Sequence, residues 1–151
     1  MRMLFKKKIY DTCIQLLQQK VKEYNASLHE LTVGIENDSK SSAGDKHETA
    51  RAMAQLEQEK INRQLAETNM QLELLQQIKI DTQSNKVIKG SLVKTDKGFL
   101  FLSVAVGKVV IDNIIVVVLS PQSPLGKQLL GLQTKDIAEI NGVQYQLEAI
   151  T

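Results

Sequence analysis

Two carboxylates stand three residues apart in the stretch Ser41 to Met53, "SSAGDKHETARAM": Asp45 and Glu48. Carboxylate oxygens are the ligands a Mg²⁺ ion prefers, and Mg²⁺ commonly takes only one or two of them from a given protein. The same spacing also satisfies a helix start. An Asp N-cap with Glu three residues on forms a capping box, which engages orphan N–H groups at the positive helix end. The two roles are compatible, because a cap uses one oxygen of each carboxylate. Glu36 and Asp38 add further acid nearby, diluted by Lys40 and Lys46.

Elsewhere the chain holds little reactive chemistry. Its only histidines are His29 and His47, and it has no GxSxG, HExxH or glycine-rich phosphate loop. The single cysteine, Cys13, lies one residue before an apolar helical seam and reads as a buried thiol rather than a nucleophile. The basic opening "MRMLFKKK", with Lys6, Lys7 and Lys8, reads as a solvated helix start rather than a membrane-surface tag.

The elements that must position Asp45 and Glu48 are helical. Residues 1–80 contain no proline and two glycines, whereas 81–151 hold both prolines and six glycines, so a boundary falls near 80. Tyr10, Ile14, Leu17, Val21, Tyr24, Leu28, Leu31 and Ile35 follow an unbroken heptad spacing, and Ala54, Gln58, Ile61, Leu65, Thr68, Leu72 and Leu75 continue it. The two seams predict an antiparallel hairpin over 1–80, with its tip near 36–48 in the turn-forming run "ENDSKSSAG". Pairing Leu28 with Ala54, Val21 with Ile61 and Tyr10 with Leu72 sets the expected register. The second helix, of about 35 residues, would be roughly 50 Å long at 1.5 Å per residue.

Residues 81–151 read as a small sheet of about five strands with one short helix, so the fold class is α+β. "DKG" joins two strands as a hairpin, "IDN" ends a third, and Asn141-Gly142 marks a final hairpin. "IIVVVLS" reads as a buried central strand. Ser123 caps a short helix, Pro124 occupies its first position and Gly131 ends it. A separate domain at 81–151 implies that this fragment folds alone.

Composition sets the remaining bounds. The 151 residues are 42% apolar, with no Trp and 4% aromatics, so the core is aliphatic. A net charge of +2 is low for a duplex-DNA binder. One cysteine excludes an internal disulfide and points to a reducing, cytoplasmic compartment. The apolar runs are too short to span a bilayer, so no membrane partner is expected.

This layout resembles the bacterial Gre-type transcript cleavage factors, which have an N-terminal helical hairpin and a C-terminal β domain of FKBP-like shape. "GDKHETARA" at 44–52 is similar to the family's tip motif, glycine-Asp-x-x-Glu-Asn-Ala. "SPQSPLGKQLLGLQTKD" at 120–136 resembles its serine-proline-x-glycine/alanine segment. The resemblance implies an elongation factor, not an enzyme with a self-contained active site, whose arm enters the secondary channel of RNA polymerase. It implies that Asp45 and Glu48 act as tip carboxylates, helping to hold a Mg²⁺ shared with the polymerase and none in the isolated protein. The polymerase then hydrolyses the backtracked 3′ end of the nascent RNA. Ser123, Pro124, Leu125 and Gly126 become partner-binding residues, and the protein is expected to be a monomer. The family's Asn after the Glu is Thr49 here, and its following aromatic is Ala52. Alternatives are a non-cleaving channel regulator, a coiled-coil adaptor and a peptidyl-prolyl isomerase. The last is disfavoured because only Phe99, Phe101 and Tyr145 are available to line a proline pocket.

Overall fold

The computed structural model describes residues 2–39 and 45–151, with the side chains of residues 2, 38–39 and 45–47 outside that description. The chain is α+β. Two long helices, α1 (Arg2–Ser39) and α2 (Asp45–Gln76), precede β1 (Leu92–Thr95), β2 (Gly98–Leu102), β3 (Gly107–Ile111) and β4 (Ile114–Leu119). A short helix α3 (Pro124–Leu129) and the strands β5 (Ile137–Ile140) and β6 (Val143–Ile150) follow. It divides into two compact units, one of residues 15–72 and one of residues 1–14 with 73–151.

In the unit 15–72, every seam position from Leu17 to Ile35 and from Ala54 to Leu72 is buried or half-buried. Helices with facing seams and so short a connection must run in opposite directions. The register differs from the expected one. Pairing Leu28 with Ala54 would place Thr32 opposite Ala50, yet Gln58 Nε2 donates to Thr32 Oγ1 at 3.4 Å. The shift is about one heptad. A seam that repeats every seven residues presents the same apolar face after such a slip, so its period does not fix the register. α1 also continues to Ser39, past the expected start of the turn at Glu36.

In the other unit, six strands form one sheet in the order β3-β4-β2-β1-β6-β5, one more strand than expected. Two hairpin turns use positive φ at both central residues: Asp112 (53°) with Asn113 (65°), and Asn141 (52°) with Gly142 (78°). That is the type I′ geometry whose twist matches the flanking strands. β4 lies between β3 and β2 and pairs with β2 in parallel, Phe99 opposite Val116 through Leu102 opposite Leu119. The run expected as a buried central strand is exposed at Ile114 and Ile115, near the outer turn, and buried or half-buried from Val116 to Leu119.

Side chains alternate between the sheet faces. Val93, Leu100, Leu102, Leu119 and Leu147 form a core with Leu129 of α3. The alternate residues Phe101, Val116 and Val118 are also buried, as are Ile9 and Cys13 of α1 and Leu75 of α2. The Phe5 ring meets Phe99 edge-on, with centroids 5.3 Å apart. The helix ends that composition assigns to the arm therefore share the core of this unit, and residues 81–151 lack part of that core.

Candidate functional site

Asp45 is the first residue of α2, and Glu48 follows within its first turn. Residues three apart on a helix lie on neighbouring parts of one face, separated by about 4.5 Å of rise. The Glu48 side chain is exposed and has no hydrogen-bond or ion-pair partner among the described residues. The Asp45 side chain, and with it half of the expected capping box, lies outside the described residues. Glu48 is thus an exposed oxygen donor in the first turn of a helix, with no partner among the described residues. Among the described residues, no three His, Cys, Asp or Glu side chains converge into a metal-holding group.

Ser123, Pro124, Leu125 and Gly126 belong to the other unit, at the start of α3. Ser123 Oγ accepts from the Gly126 N–H at 3.0 Å and donates to the Ser120 carbonyl at 2.7 Å. This closes the N-terminal turn that leaves helix donors unpaired. Pro124 sits in the first turn, where its missing N–H costs nothing. Leu125 packs against the core cluster. A Cβ on Gly126 would lie 2.1 Å from the Ser120 carbonyl oxygen, so only glycine fits there. The fold accounts for each of these four residue types: together they hold α3 on one face of the sheet.

No protein-family model matches the chain, and no curated protein does. Among solved structures, the chain is similar to the GreA factor homolog 1 (Gfh1) protein of Thermus thermophilus. The identity is 20% over 91% of this chain and 94% of that one, with a TM-score of 0.36. A second structure, of the transcription factor Gfh1, gives 20% identity over 91% of this chain and 92% of that chain, also with a TM-score of 0.36. At that identity and score the similarity carries no functional weight.

Three lysines read alike in the sequence behave differently in the structure. Lys7 pairs with Asp11 at 3.5 Å and Lys8 with Asp112 at 2.9 Å, both exposed. Lys6 is only 1% exposed, and its Nζ donates to the Thr151 carbonyl at 3.1 Å. Burial lowers its pKa, and the Asp81 charge raises it in part. Lys6 stands one helical turn before Ile9 and Ile9 one turn before Cys13, a spacing that marks the inward face. Cys13 is buried as expected, and burial pushes its thiol up to about 11, so it is neutral at pH 7. That excludes a thiolate nucleophile.

Proposed function

We propose that this protein is an RNA polymerase secondary-channel factor that stimulates cleavage of backtracked RNA through Asp45 and Glu48. The observation that carries the reading is the Gly44-Asp45-x-x-Glu48 sequence at the start of α2, the second helix of a long helical pair, with Glu48 exposed and without a partner among the described residues. Asp45 and Glu48 would complete the ligand shell of a Mg²⁺ in the polymerase site, with no site in the isolated protein. The chemistry such an ion supplies is stabilisation of the attacking and leaving oxygens of an in-line displacement. The residues of this chain deliver charge to that position on a rigid support, and the polymerase performs the hydrolysis. The unit carrying Ser123, Pro124, Leu125 and Gly126 would grip the polymerase and aim the arm. Nascent RNA would be met only through the polymerase, in the cytoplasm, by a monomer. No helix among the described residues is long and apolar enough to cross a membrane.

A second reading is a non-cleaving channel regulator. Thr49 and Ala52, which stand where the resembled motif has Asn and an aromatic, favour it. Adding the protein to purified polymerase stalled on backtracked RNA separates the readings. Shortened transcripts support cleavage. Altered elongation rates without shortening support regulation. No effect of either kind removes the channel reading and leaves the coiled-coil adaptor.

A further inference from the structure

Between α1 and α2, on one flank of the hairpin, the seam opens into a groove of about 400 Å³. Its floor is Leu31, Ile35, Ala54 and Ile61. Small residues make the opening. A Cβ on Gly34 would meet nothing within 4 Å, and Ser27 and Ala54 fill little space beside it. The flanks are unequal, because Thr32 and Gln58 are hydrogen-bonded to each other outside this groove. Glu30 and Glu57 line it from opposite helices. Both are exposed, and neither has an ion-pair partner among the described residues.

A shallow apolar trough between two helices has the shape that receives a third helix, which lays one row of side chains into it. Small residues on the floor permit a close approach of that helix. Two exposed carboxylates at the rim select cationic neighbours and disfavour acidic ones. We infer that the groove between Glu30 and Glu57 seats an amphipathic helix of the polymerase, with aliphatic residues facing Gly34 and Lys or Arg facing the two glutamates. This rests on the channel-factor reading above and adds to it a docking surface on the flank of the arm, away from Asp45 and Glu48. The contact fixes the depth and rotation of the arm.

The test measures binding of the full chain to purified core RNA polymerase by fluorescence anisotropy, with no cleavage readout. Gly34→Leu fills the groove from within and keeps a good helix former. It should weaken binding about tenfold or more, the scale of one interface hot spot. Glu30→Lys and Glu57→Lys should each weaken it severalfold. Two controls change residues that do not line the groove, Val33→Leu for bulk and Glu59→Lys for charge, and both should bind as wild type. Circular dichroism on each variant checks that helix content is retained. If wild type binds and Gly34→Leu binds equally well, the groove assignment is overturned and the channel reading stands. If wild type does not bind polymerase, the channel reading itself is overturned and the groove assignment with it. A wild-type dimer in sedimentation that Gly34→Leu abolishes would give the groove to a second copy and overturn the assignment to polymerase.

Discussion

Burial holds the Lys6 pKa below 10.5, with Asp81 offsetting part of the shift. The unfolded chain therefore binds this proton more readily than the folded one. Stability contributed through Lys6 rises with pH across the window from its lowered pKa up to 10.5. Desolvation disfavours the charged form of a buried lysine, and an apolar residue of similar length carries no such cost. The Thr151 carbonyl would keep its bond from the Leu92 N–H at 2.9 Å. Lys6→Met is thus expected to leave stability at pH 7 equal or slightly higher, and to flatten the alkaline rise expected of wild type. Thermal melts across pH check both, and a clear loss of stability at pH 7 would show that the ammonium is needed. A second residue-scale expectation concerns Gly126. Its substitution by Ala forces a Cβ against the Ser120 carbonyl and should cost about 2–3 kcal/mol in denaturant melts. Ser123 and Pro124 were legible in the sequence because capping is local. Lys6 was not, since successive helical residues point about 100° apart and only tertiary packing selects which of three lysines turns inward.

At the scale of elements, periodicity revealed the two helices and their seams but not their register. The Thr32–Gln58 contact gives a direct check in a Cys13→Ser background. Thr32→Cys with Gln58→Cys should be joined by a short bis-maleimide, while Thr32→Cys with Ala50→Cys should not. The two positions on α2 are separated by about 12 Å of rise. Efficient linkage of the Ala50 pair would restore the register inferred from the heptads alone. The hairpin turns at Asp112-Asn113 and Asn141-Gly142 were also legible, because their residue types tolerate positive φ. The parallel pairing of β2 with β4 was not. Local turn signals read each strand against its chain neighbour, whereas β3 lies outside β4 and leaves β2 to pair with β4 across it.

For the whole molecule, the composition change near 80 marks where helix gives way to sheet, but packing follows burial rather than composition. Phe5, Ile9, Cys13 and Leu75 belong to the same unit as the sheet. The fragment 81–151 lacks them and exposes apolar surface that the full chain covers. It should melt with low cooperativity and bind a hydrophobic dye, in contrast to the full chain. Cooperative melting of that fragment without dye binding would show that the sheet needs no helix ends. The candidate site is present in the sequence only as a motif at 44–48, and its proposed use depends on a partner. The most direct test of the central claim is the length of RNA in backtracked polymerase complexes, read with wild type, Asp45→Asn and Glu48→Gln while binding to polymerase is measured in parallel. Wild type is expected to shorten the RNA, and each variant to bind within a few-fold of wild type with cleavage abolished. Shortening at the wild-type rate by both variants would contradict it and leave the two carboxylates as a helix cap alone.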